Sequence, residues 1–326
     1  MLLPVTDSSP RSTQLLQHVA DWFNRAAQFL FTGRRQRVVT AVFLFLTVVV
    51  IGSLIRGNWE TLRDYEWQIR PSWLIYAVLL MLIDMFLGAV VWHSLCKRFI
   101  QHPHFFTNIK IWWYANLARR IPGTVWFIAS RAILYETVGI AKLPVTLLSG
   151  LEMVLIFVSG IITTLLTLPF WILPDEVTQN VDLIWFLPLI VILCVIMVHP
   201  RILGKIWQLI SRQGPTTQLY WRDTTTWLLL YIVVWSFGGL VLFCLINFFQ
   251  PLPSSYIIAT IGMWALASTI SLAGALTITG LGLREVSLTV MLTQVVPLPV
   301  AIVIVIVLRV LWLLGELITA GISLKL

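Results

Sequence analysis

The sequence predicts an all-α polytopic membrane protein, with about six spanning helices and two helical hairpins that re-enter the bilayer from opposite sides. Three observations carry this expectation. Hydrophobic residues make up 59% of the 326 and charged residues only 11%, whereas soluble domains run near 45–50% and about 25%; mean hydropathy is +0.91. Apolar runs close to the roughly 20 residues that a spanning helix needs recur along the chain. Lysine and arginine fall on alternate connections. The net charge of +8 then fits loops held at an anionic leaflet and gives no reason to expect a nucleic-acid partner. The 16 tryptophans suit the headgroup interface. Cys96, Cys194 and Cys244 stand alone in apolar runs, without a disulfide framework or a metal spacing.

Residues 1–36 form an N-terminal segment of their own. The first fourteen are mixed and polar, unlike a signal peptide. From Leu15 onward, Leu15, Val19, Trp22, Phe23, Ala26 and Leu30 share one helical face, with Asp21 and Arg25 opposite. An amphipathic helix lying on the cytoplasmic leaflet is expected, ahead of the basic stretch GRRQR; a short soluble helix is the plainer alternative.

Residues 37–326 form the membrane domain. Spanning runs are expected at 38–55, 72–96, 143–171, 183–199, 225–248 and 300–324. The connection holding Lys97, Arg98 and Lys110 reads as inside, and so does the one with Arg201, Lys205, Arg212 and Arg222. ILPDEVTQNVD carries acids and no base and reads as outside. Arg11, Arg25, Arg34, Arg35 and Arg37 place the N-terminus inside, and Lys325 does the same for the C-terminus, so a cytoplasmic (inner) membrane with both termini cytoplasmic is expected. The segment RILGKIWQLISR is a second candidate surface helix.

Two apolar regions, 109–135 and 255–296, are broken internally. The first begins and ends beside inside loops, with Pro122 and Gly123 in its middle. Proline disfavours helix at the residue before it, and glycine loosens the next position. The second begins and ends outside, with TITGLGLRE near its turn. Each should therefore enter and return. Irregular backbone at membrane depth is tolerated only beside protein or a water-filled cavity, and broken helices from opposite leaflets mark inverted-repeat transporters. The alternative is that both regions cross, which gives eight spans with the same C-terminal side.

Charges within spans face the interior and pair, because each costs roughly 2.5–3.5 kcal/mol at a helix centre on insertion scales. Asp84 lies mid-helix and Glu152 about three turns into its run. Arg309 and Glu316, seven apart, share a face. Arg309 is expected to pair with Glu316 or Glu152. Arg119, Arg120 and Arg131 flank the first break, where they either snorkel to the inner surface or line a cavity. Arg284 and Glu285 flank the second, and as neighbours on one helix they are expected to seek separate partners. Ser268, Thr269, Ser271, Thr277 and Thr279 add hydroxyls there. Gly280 and Gly282 would let backbone approach a ligand, and free N–H groups at a half-helix start attract an anion. An arginine beside them suits a phosphate. The chemistry points to a cavity for an anionic lipid headgroup or a polyprenyl phosphate.

The chain carries no P-loop, no Gly-x-Ser-x-Gly elbow and no His-Glu-x-x-His, so an enzyme is not expected, nor any cofactor or metal. His102 and His104 flank Pro103 in what reads as a polar loop, and His93 and His199 sit near helix ends.

NLARRIPGTVWFIASRAIL (117–134), LLSGLEMVLIF (147–157) and GLGLREVSL with LPVAIVIVIVLRVLW (280–312) resemble the flippase-like family, the membrane region shared by lysylphosphatidylglycerol synthases and the multiple peptide resistance factor. The matching positions are Pro122 and Gly123, Arg131, Glu152, Gly280 with Gly282, Arg284 and Glu285, and Arg309. The likeness spans about residues 40–324. Ile278 and Thr279 stand where the family opens its late turn with Pro-Gly, and the synthases' cytoplasmic aminoacyl-transfer domain has no counterpart here. The resemblance implies translocation of a lipid or lipid-linked headgroup without aminoacylation. Membrane lipids or lipid-linked intermediates are the expected partners. The rival expectation is a non-transporting subunit that presents lipid-linked substrate to a separate glycosyltransferase or acyltransferase.

Overall fold

A computed structural model describes residues 56–323, apart from 58, 64, 66, 103, 121–124, 172–181, 212–217 and 275–281. The expected first span at 38–55 and the N-terminal amphipathic helix lie outside the described residues. The described residues are helical, with no strand among them. The helices are α1 (Trp59–Arg63), α2 (Pro71–Phe99), α3 (Phe105–Asn116), α4 (Val125–Glu136), α5 (Lys142–Thr167), α6 (Asp182–Met197), α7 (Pro200–Ser211), α8 (Trp221–Phe249), α9 (Ile257–Gly274), α10 (Leu283–Leu292) and α11 (Leu298–Ser323).

Among the described residues, six stretches are long and apolar enough to cross a membrane: Pro71–Phe99, Lys142–Phe170, Pro188–Lys205, Trp221–Phe249, Ser254–Gly274 and Leu298–Ser323. This is a polytopic α-helical membrane protein. Local chemistry sets the ends of the long helices. Pro71 opens α2, where its missing N–H costs nothing. Asp223 accepts the Tyr220 backbone N–H at 3.1 Å at the start of α8.

The chain contacts fix which way each element runs. At one end of the bundle, Arg70 N–H donates to Phe248 O at 2.9 Å, just before α2 begins and as α8 finishes. At the other end, Arg98 of α2 pairs with Asp223 of α8 at 3.0 Å. The helices α2 and α8 are therefore antiparallel.

The first hairpin, α3 and α4, starts and finishes at the second of these ends. Asn108, near the start of α3, accepts the Tyr135 hydroxyl of late α4 at 2.6 Å. Tyr135 in turn takes the Trp92 Nε1–H of α2 at 2.9 Å. The second hairpin, α9 and α10, starts and finishes at the first end. Gln250, which caps α8, donates to Val295 O beyond α10 at 3.5 Å. The hairpins thus enter from opposite ends, as the loop charges predicted.

Among the described residues the hairpin arms α3 and α4 have 12 residues each and α10 has 10, about 15–18 Å at 1.5 Å per residue, too short to cross and so unlike the alternative of eight spans. Two details differ from expectation. The second hairpin is unequal, because its first arm, Ser254–Gly274, is itself long enough to cross. The run at 183–199 is a helix containing Pro188 that gives way at Val198 and His199 to α7. The helix α7 is amphipathic: Leu203 and Trp207 are buried while Arg201 and Lys205 are exposed, and Trp207 packs on Phe99 with ring centroids 4.7 Å apart.

Small residues bring the long helices close, as membrane packing demands where no hydrophobic difference from lipid drives association. A Cβ on Gly239 of α8 would sit 2.2 Å from the Ile261 Cα of α9. One on Gly160 of α5 would meet Thr269 Oγ1 at 2.2 Å, and one on Gly262 of α9 would meet Thr167 Oγ1 at 2.1 Å. Glycine thus brings α5, α8 and α9 into close approach; the first hairpin packs on α2, α5 and α11, and α10 on α9 and α11.

Candidate functional site

The first hairpin carries Arg131 on α4. Its side chain is completely buried, so it does not snorkel to a surface. It forms an ion pair with Glu152 of α5, also completely buried. Glu152 accepts two further bonds, from Trp112 Nε1 of α3 at 3.1 Å and from the Tyr231 hydroxyl of α8 at 3.2 Å. Four helices thus meet at one carboxylate. The guanidinium lies over the Trp92 ring at 4.0 Å and the Phe127 ring at 4.9 Å, a cation–π arrangement that strengthens when water is excluded. Only Nη1 reaches Glu152. Nε and Nη2 have no hydrogen-bond partner among the described residues. These two nitrogens form the side-on fork by which arginine grips a carboxylate or phosphate with two parallel bonds.

A polar network runs from here to the hairpin's mouth. Asn108 is completely buried. Its Nδ2 donates to His102 O at 3.0 Å and to His93 Nδ1 at 2.9 Å, and its Oδ1 accepts from His102 Nδ1 at 2.9 Å. The histidines that read as loop and interface residues are therefore joined through one amide, which pins the start of α3 to the end of α2. Among the described residues no group of three or more His, Cys, Asp and Glu forms a metal site.

The second hairpin carries Gly282, Arg284 and Glu285. Gly282 has φ +88°, a left-handed conformation that glycine adopts without strain, and it caps the start of α10. Glu285 sits in the first turn of α10, where a negative charge already complements the helix N-terminus. It accepts Arg309 Nη1 of α11 at 3.0 Å. Arg309 was expected to pair with Glu316 or Glu152; it pairs instead with Glu285, because α11 passes beside α10. Arg284 and Glu285 were expected to seek separate partners, yet Arg284 Nη2 lies 3.7 Å from Glu285 Oε1. Arg284 also sits over the Trp264 ring at 5.3 Å, and Trp264 stacks on Trp312 at 5.4 Å.

Near this hairpin the Ser268 and Thr269 hydroxyls and Trp312 Nε1 are buried without a hydrogen-bond partner among the described residues. The Glu285–Arg309 pair is about three-quarters buried. Arg309→Glu is expected to lower thermal stability, and adding Glu285→Arg should recover most of it. A double variant no more stable than the single one would show that the pair does not bind α10 to α11.

Of the other predicted residues, Asp84 is buried on α2 and Glu316 is half-buried on α11. Arg119 and Arg120 lie in a 3-10 turn that continues α3, with their side chains outside the described residues. Pro122, Gly123 and Gly280 also lie outside the described residues. Sequence reasoning missed Trp92, Trp112, Asn108, Tyr135 and Tyr231. Asn108, Trp112 and Asn116 stand four residues apart on one face of an apolar helix, and that spacing was the available signal.

Fold and site together define a polytopic membrane protein in which two opposed hairpins are each tied to the bundle by an intramembrane ion pair. No protein-family model matches the sequence, and no curated protein matches it either.

Proposed function

We propose that the protein moves an anionic lipid headgroup, a phospholipid or polyprenyl phosphate, across the cytoplasmic membrane, as its flippase-like sequence resemblance implies. The observation that carries this reading is a surplus of buried donors beside the hairpins. Arg131 Nε and Nη2 have no acceptor at the first hairpin, nor do Ser268 Oγ, Thr269 Oγ1 and Trp312 Nε1 near the second, among the described residues. A buried donor without an acceptor costs about 1–3 kcal/mol. Phosphate oxygens would satisfy these groups, and the Arg131 fork suits a phosphate in particular. Glu152 holds the guanidinium in place while its fork remains available. Arg284 would meet the same headgroup from the other hairpin, and the Glu285–Arg309 pair would hold or release α10 as access alternates.

Purified protein in liposomes with labelled anionic phospholipids and polyprenyl phosphates tests this directly. Movement above that in empty vesicles is expected for at least one lipid. Arg131→Lys keeps the charge and loses the fork, so it should slow transport about 10- to 100-fold, the worth of a charge-assisted hydrogen bond at roughly 1.5–3 kcal/mol. No movement of any such lipid by the unaltered protein would overturn the proposal.

On the loop charges we further propose that both termini lie on the cytoplasmic side. Arg120→Cys and Gly282→Cys, each made in a background lacking the three native cysteines, should label from opposite sides of the membrane. Labelling of both from one side would reject the opposed arrangement.

A further inference from the structure

We infer that Asp84 and Asn116 form a binding site for a small monovalent cation, a proton or a sodium ion, near the tip of the first hairpin. Asp84 is 8% exposed and Asn116 is 7% exposed. No hydrogen bond or ion pair reaches the Asp84 carboxyl among the described residues, and Asn116 Oδ1 is buried without a donor.

The register of α2 against α3 sets these two groups at one level. His93 meets Asn108, and one turn deeper a Cβ on Gly88 would touch the Trp112 ring at 2.9 Å. The helices run antiparallel, so one turn deeper again Asp84 stands level with Asn116. Asp84 lies four residues from Gly88 and Asn116 four from Trp112, which keeps both on the facing sides. Met81 and Met85 beside Asp84 pack on Gly315 of α11 and close the layer.

Two acceptors facing each other inside a bilayer repel when the carboxyl is ionised. A positive charge between them satisfies both. A proton on Asp84 makes an O–H that donates to Asn116 Oδ1; a sodium ion takes the carboxylate and amide oxygens as ligands. The surroundings favour the same sign. Asn116 is the last residue of α3, toward the negative end of the helix dipole.

The charged and titratable neighbours on the packed helices are Glu152 of α5, whose carboxylate accepts from Trp112 Nε1, Tyr231 of α8, whose hydroxyl donates to the same carboxylate, and Glu316 of α11, next to Gly315. Arg119 and Arg120 follow Asn116, and Arg131 is held by Glu152. Acceptors left over here complement the donors left over for an anion, so the cation would be the coupling ion of transport. That last clause rests on the proposed lipid transport; the binding itself does not.

Infrared difference spectra of the full chain in nanodiscs test the binding without any lipid substrate. One switch changes pH at fixed sodium; the other exchanges sodium for N-methylglucamine at fixed pH. A carboxyl band that responds to one switch is expected, lost entirely in Asp84→Asn and shifted in Asn116→Leu, and the responding switch names the ion. A response unchanged in Asp84→Asn would overturn the assignment, and so would no carboxyl response to either switch in the unaltered protein. If the lipid assay fails while this band appears, the site stands and the transport reading falls.

Discussion

Glu152→Leu is expected to destabilise the protein by about 3–5 kcal/mol, the usual cost of removing one partner of a buried ion pair. Arg131 would keep its charge in a place completely shielded from solvent. Trp112 Nε1 and the Tyr231 hydroxyl would lose their acceptor at the same time. The loss therefore reaches α3, α4 and α8 together, and thermal unfolding in detergent should show a large drop in midpoint or no folded protein at all. The informative companion is Arg131→Met with Glu152→Leu. Replacing a buried pair by apolar residues of similar size is often neutral or stabilising, so the double variant should recover most of the midpoint. It should remain inactive in lipid transport, because the donor fork is gone. A single variant that melts like the parent would show that the carboxylate does not join the four helices.

Gly239→Ala is expected to be nearly as damaging, for a steric reason. The added Cβ would lie 2.2 Å from Ile261 Cα, and backbone cannot rotate away as a side chain can. The helices α8 and α9 must separate, which breaks contacts along their whole length. Overpacking of a close contact typically costs 1–3 kcal/mol, and the rigid neighbour places this site at the upper end. Gly150→Ala on α5 is the control, since nothing lies within 4 Å of its new Cβ; in a helix that change is neutral or gains roughly 0.5–1 kcal/mol. Equal thermal midpoints for Gly239→Ala and the parent would show that the two helices do not approach as closely as described.

Much of the topology was legible because the bilayer is a strict solvent. Length and hydropathy mark the runs that can cross, and lysine and arginine in the connections order them. Pro122 and the TGLG stretch stood out because proline and paired glycines are poor at continuing the helical hydrogen-bond ladder inside an apolar run. Asp84, Arg131, Glu152, Glu285 and Arg309 were visible for the same reason: an intramembrane charge is costly enough to need a purpose.

Pairing was not legible. Arg309 shares a face with Glu316 on its own helix, yet Glu285 answers it from a helix 24 residues earlier. Spacing along one chain shows which groups share a face and says nothing of which face lies opposite. Trp112 and Tyr231 escaped notice because tryptophan and tyrosine are common in membrane proteins, and only burial beside Glu152 turns their N–H and O–H into necessary donors.

The sequence by itself determined an all-α membrane protein, most of the long helices, the places where two of them break and the charges that must be paired or used. These follow from one-dimensional quantities: the apolar length of a run, the residues that cannot continue a helix and the cost of a charge in oil. Tertiary structure alone decided that Arg131 meets Glu152 and that Glu285 meets Arg309. Those partners are separated by tens of residues. They come together only through the register and close approach of helices packed over glycine.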